Sequence, residues 1–198
     1  GFDLLVWSGD LAHEGATEQF ALAADELLRP LLSRLGLSEE RLLMVPGNHD
    51  LDRDKLSIGG SKLLAFIRAG GPAEYEKVIA NENDRATLFS RFEDYGRFCI
   101  GYNCGLDEEA KYATNLRIEV GRDRWIRFIR LNSSLLCHGE ERDDQPELVM
   151  GERQFVIPRH AGEENVVLVH HPLNWYKDAV DVRQYVRSRA RVLISGHE

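Results

Sequence analysis

The chain has 198 residues, 43% of them hydrophobic and 29% charged, and its 33 acidic against 25 basic side chains give a net charge of -8. That size and balance fit one soluble α/β domain with its own core and exclude a disordered or fibrous chain. The negative charge gives no general attraction to nucleic-acid phosphates, and no apolar run is long enough to span a bilayer.

The chain opens without a signal-peptide pattern, running from Gly1 straight into an apolar stretch, a start that reads as truncated. Residues 3–8 predict a strand buried on both faces that stops at Gly9-Asp10. From Thr17, read as an N-cap, to Leu35 the apolar positions recur at helical spacing, with Pro30 expected to kink the helix and Gly36 to stop it. A second strand over residues 41–45 runs into Pro46-Gly47-Asn48-His49-Asp50. Residues 51–112 carry helical patterns at 62–69, 73–79 and 85–98 and read as a helical insertion within a single domain spanning 1–198.

A hairpin is expected from residues 116–120 and 125–131, in a second sheet. A polar loop follows at 138–147, then a short helix over 151–160 limited by Pro158. Residues 166–169 predict a buried strand ending in His170-His171, and 178–188 a helix whose Arg183, Arg187, Arg189 and Arg191 read as a solvated face. The last strand, 192–194, ends in Gly196-His197. Cys99, Cys104 and Cys137 have no zinc spacing and read as reduced thiols of a cytoplasmic protein.

Four strand-like runs therefore end in groups able to hold a metal: Asp10, Asn48-His49-Asp50, His170-His171 and His197. In a parallel sheet those ends share one edge, so distant residues can meet in one crevice. Each has a plain structural explanation alone: Asp10, Asn48 and Asp50 as turn formers, His171 as a core or surface imidazole, His197 as an exposed terminal residue. Those explanations leave the common strand-end position unexplained. Carboxylate, amide and imidazole together suit Mn, Fe, Zn or Co better than an all-oxygen calcium cage.

Gly9-Asp10, Gly47-Asn48-His49-Asp50, His170 and Gly196-His197-Glu198, in that order, resemble the ordered blocks of the calcineurin-like metallophosphoesterase superfamily. The resemblance implies an α/β fold of two stacked mixed β-sheets flanked by helices, a four-layer α/β/β/α sandwich. It also implies two divalent metal ions, with Asp10 bridging them and Asn48, His170 and His197 completing one site. His49 would be the catalytic group facing the substrate, oriented by Asp50, with Asn48 beside it; for His171 a substrate contact is the minority alternative to the core or surface imidazole. The Asp-x-His block and the second His of Gly-His-x-His have no match here, so the piece is expected to be truncated at both ends, to hold one ion well and to have little activity.

The function implied is a metal-dependent phosphodiesterase acting on a small phosphate ester or nucleotide, with no membrane partner. Asn132-Ser133 and Gly151 to Gln154 resemble the cyclic-nucleotide phosphodiesterase branch. The alternatives are a phosphomonoesterase, a DNA or RNA nuclease, which the acidic balance disfavours, and a binding module that has lost catalysis.

Overall fold

The computed structural model describes residues 1–102, 104–107, 111–138 and 148–197, without the side chains of Glu152 and Phe155. Short strands with apolar residues on both faces dictate the layers, because successive side chains point to opposite sides of a sheet. β1 (Leu5–Trp7) pairs parallel with β2 (Leu42–Met44). The second sheet runs in the order β3 (Leu116–Gly121), β4 (Arg124–Leu131), β5 (Glu163–Val169), β6 (Val192–Ser195). In it β3 is antiparallel to β4, and the other neighbours are parallel.

Three apolar clusters fill the spaces between layers. Leu4, Val6, Leu43 and Val45 from the pair join Ile126, Phe128, Val166, Leu168 and Ile194 from the larger sheet, so this cluster is the seam between the sheets. Leu43 and Leu168 are wholly buried there, each worth about 1.5–3 kcal/mol relative to an exposed side chain. The opposite faces, Leu5, Trp7, Leu42 and Met44, pack with α1 (Thr17–Ala23), α2 (Arg29–Leu35) and α6 (Glu93–Cys99). Ile129, Leu131, Val167 and Val169 pack with α3 (Ile58–Gly70), α4 (Pro72–Ala80), α5 (Glu82–Phe89) and α7 (Ala179–Arg189). The result is the expected α/β/β/α order. Residues 51–112 supply α3 to α5 to one outer layer and α6 to the other.

Several local expectations change. β1 is half-buried along its length, not buried on both faces, because among the described residues it pairs with β2 alone. The residue before α1 is Ala16, with no side-chain cap; Thr17 is the first helical residue and its side chain hydrogen-bonds Asp94 of α6. Pro30 does not break the helix: a π-helical stretch, Ala24–Leu28, joins α1 to α2 just ahead of it. That wider turn accommodates a residue without an N–H. The helix expected at 85–98 is divided by a 3-10 turn, Ser90–Phe92, and the one at 151–160 shrinks to a 3-10 turn, Glu152–Phe155. Residues 139–147 of the polar loop, and Glu198 of the last block, lie outside the described residues.

Buried polar contacts tie the sheets together near their functional ends. Arg130, at the end of β4, donates to the Met44 carbonyl at 3.3 Å, and Ser134 Oγ donates to the Pro46 carbonyl at 3.1 Å. The loop after β2 is thereby held against the loop after β4. The strand ends thus meet across two stacked sheets rather than along one sheet edge, which corrects the shared-edge expectation.

Candidate metal centre

The chain leaves β1 through Ser8-Gly9-Asp10 and leaves β2 through Pro46-Gly47-Asn48. Gly9 has φ +107, and a Cβ there would overlap the His170 ring; a Cβ on Gly47 would overlap the Asp10 carboxylate. Both glycines are needed for this close approach. Asp10 (φ 56) and His197 (φ 61) are themselves in the left-handed region, a backbone state that costs on the order of 1–3 kcal/mol and clusters at functional sites.

Four donor atoms converge. His170 Nε2 lies 3.2 Å from Asn48 Oδ1, 2.8 Å from His197 Nδ1 and 3.2 Å from Asp10 Oδ2; His197 Nδ1 lies 4.0 Å from the same Asp10 oxygen. Donors sharing one ion at about 2.0–2.2 Å can be no more than about 4.4 Å apart, and every one of these distances falls inside that limit. His170 Nδ1 sits 2.7 Å from the Ser8 carbonyl, an acceptor, which places a ring proton on Nδ1. Nε2 faces a carboxylate oxygen, an amide oxygen and an imidazole nitrogen. All four atoms can act as metal ligands, and this mixed oxygen and nitrogen knot fits an intermediate divalent ion.

The electrostatics agree. Burial pushes the Asp10 carboxyl up, but the hydrogen bond and charge of His170 and the backbone N–H of His49 outweigh it, and the net direction is down. Burial, then the charge of His170, hold His197 below the usual imidazole range, against the pull of Asp10. An ionised carboxylate and a neutral imidazole are the forms that bind metals.

A family model for calcineurin-like phosphoesterases matches residues 1–198. The chain belongs to that family. The metallophosphoesterase-like protein YydB of Bacillus subtilis (strain 168) is 40% identical to it over 53 residues, which cover 27% of this chain and 11% of that protein. The matched stretch is thus about a tenth of the relative's length. No solved structure matches the chain. Calcineurin-like phosphoesterases use divalent metals on phosphoester substrates.

Around the acceptor knot, Asp50 is wholly buried. Its Oδ1 accepts the Ala12 N–H at 2.8 Å and its Oδ2 the Gly47 N–H at 2.9 Å. Desolvation by burial, opposed by those two amides and assisted by the Asp10 charge, raises its pKa to about 6. Both oxygens are spent on backbone, so Asp50 clamps the two loops together and does not orient the His49 ring as expected. That ring meets the His13 carbonyl at 2.9 Å and Arg53 Nη2 at 3.0 Å, both at Nδ1, and stacks on His13. The His49 backbone N–H donates to Asp10 Oδ1 at 3.1 Å.

His171 sits as the core imidazole of its plain structural reading. It is wholly buried, with Nδ1 2.8 Å from Ser133 Oγ and Nε2 3.7 Å from Cys137 Sγ. Burial, then the charges of His170 and His197, lower its pKa well below that of a free imidazole. Its nitrogens lie within 4.8 Å of those of His170 and His197, but with both already engaged it braces the cluster; Asp10 and Asn48 are the better donors. Trp175 packs edge-on to His197, with ring centroids 4.6 Å apart, and Tyr176 is in the core. His13 and His160 are exposed, and the three cysteines are buried. Among the described residues no helix is long and apolar enough to cross a membrane.

Sequence reasoning missed the Ser8 carbonyl, Ser133 and Arg53. The first acts through backbone and leaves no sequence signal. Ser133 sits in the noted Asn132-Ser133 pair, and Arg53 stands four residues after His49, where a charge beside a recognised block was the available signal.

Proposed function

We propose that this calcineurin-like domain hydrolyses a phosphoric ester, preferring a small phosphodiester such as a nucleotide. Asp10, Asn48, His170 and His197 would hold one divalent ion, Mn, Fe, Zn or Co, and Asp10 would serve a second. The observation that carries the reading is the convergence of four acceptor atoms at 2.8–4.0 Å from four strand-end loops. When bound, such ions acidify a water and offset charge on the phosphoryl oxygens.

The chain's own groups have distinct tasks. The Ser8 carbonyl keeps the His170 proton on Nδ1, so that Nε2 stays a donor of electrons. Asp50 fixes the distance between the Asp10 and Asn48 loops through two backbone amides. His49 is placed beside Asp10 by its own backbone N–H, and its ring supplies the proton taken up by the leaving oxygen. The diester preference draws support from the loop pair resembling the cyclic-nucleotide branch, where Gln154 Oε1 accepts the Asn132 N–H at 2.8 Å.

Metal-titrated hydrolysis of bis-nitrophenyl and mono-nitrophenyl phosphate tests the reading. The diester should have the higher kcat/KM, chelation should abolish turnover, and His49→Ala should lower kcat at least about 100-fold with metal content retained. Faster monoester hydrolysis would make it a phosphomonoesterase, and faster cleavage of labelled DNA or RNA a nuclease. Tight metal binding without turnover of any of these would leave a binding module.

A further inference from the structure

Arg53 is the unexplained charge at this site. It opens the 3-10 turn Arg53–Lys55, and among the described residues its hydrogen bond to a side chain is the 3.0 Å contact of Nη2 with His49 Nδ1. Its Nε is buried without a partner. The acids beside it are occupied or unpaired with it: Asp52 Oδ1 accepts the Asp54 N–H at 3.1 Å, and Asp52 Oδ2 lies 3.4 Å from Lys55. In a chain of net charge -8, a guanidinium with no carboxylate pairing among the described residues stands out beside the acceptor knot.

Its hold on His49 is also compromised. The His13 carbonyl lies 2.9 Å from the same Nδ1 and needs a proton there, whereas the guanidinium needs a lone pair. A neutral imidazole nitrogen satisfies one of them at a time. Arg53 can therefore exchange His49 for a better acceptor at little cost. Next to it the exposed His13 ring lies flat against His49, with centroids 5.3 Å apart and an interplanar angle of 13°, so the wall is built of nitrogen-bearing groups.

We propose that Arg53, flanked by His13, is a substrate-binding residue that takes the unesterified, charged oxygens of the phosphate group. The proposal rests on the phosphoesterase reading above. The planar fork of arginine suits two phosphate oxygens at once, which the point charge of lysine cannot match. The group supplies attraction that acidic surroundings otherwise lack.

Inorganic phosphate is the probe, with Arg53→Met and Arg53→Lys as variants. On metal-loaded protein, calorimetry should show phosphate affinity falling about tenfold or more in Arg53→Met, with Arg53→Lys recovering part of it, metal stoichiometry and unfolding temperature being unchanged. KM for nitrophenyl phosphates should rise by a similar factor while kcat changes less. On metal-free wild type, the Arg53 Nε–H resonance, assigned by its loss in Arg53→Lys, should shift saturably with phosphate. Unchanged affinity in Arg53→Met at full metal content, or an Nε–H resonance indifferent to phosphate, overturns the proposal and leaves the metal centre standing. A wild type that takes up no metal defeats the phosphoesterase reading, and the metal-free resonance still decides the role of Arg53.

Discussion

At the scale of single residues, the site is made by close approach. Gly47 has an ordinary φ of -94°, so only space forbids a side chain there: a Cβ would overlap the Asp10 carboxylate. Gly47→Ala should destabilise the fold by about 1–3 kcal/mol, the usual cost of overpacking, and should weaken metal binding at the same time. Urea unfolding and metal titration of the variant check the two effects. Asp10, Asn48, His170 and His197 were legible because their blocks pair a special residue with a strand end. Asp50 was legible as a member of its block but not in its task, since its partners are the backbone amides of Ala12 and Gly47. No side-chain pattern announces a bond to an amide 38 residues away.

At the scale of elements, the strands were legible from apolar runs to within a few residues, and the exceptions have local causes. The π-helical stretch before Pro30 arises because the chain must continue a helix whose apolar face is already committed to the core. Arg91 illustrates what patterning cannot show. Between α5 and α6 it is 1% exposed and donates to the carbonyls of Leu88, Leu135 and Cys137, bracing the loop that carries Ser133. Arg91→Met strands those carbonyls, so the unfolding free energy should drop by about 2–4 kcal/mol in chemical denaturation.

In the larger sheet, Glu163 of β5 pairs with Arg127 of β4 and Arg117 of β3. The hydrogen bond from Arg127, then the charges of Arg127 and Arg117, outweigh desolvation and lower its pKa. A depressed carboxyl stabilises the fold above its unfolded pKa of 4.5 and loses that contribution as pH falls through the lower folded value. Glu163→Gln should therefore unfold earlier than the wild type at pH 7, with the gap closing below pH about 4. Melting curves across that window give the answer.

At the scale of the molecule, the two sheets each bring two of the four donors: Asp10 and Asn48 follow the parallel pair, His170 and His197 the four-stranded sheet. A single parallel edge was the simpler reading of alternating strands and helices. The seam of Leu43, Val45, Phe128 and Leu168 is what makes two sheets meet, and strand patterning does not say which apolar faces will face each other. An ion held across that seam should stabilise the whole fold. At 100 times its dissociation constant the gain is about 2.7 kcal/mol, a rise of roughly 5–10 °C in Tm for a chain of this size, and His170→Ala should abolish it.

The most direct measurement is an anomalous difference map from crystals soaked in manganese. The account predicts a peak within about 2.0–2.4 Å of Asp10 Oδ2, Asn48 Oδ1, His170 Nε2 and His197 Nδ1. A peak ligated by His171 in place of Asp10 and Asn48, or no peak among these atoms at saturating metal, would contradict it.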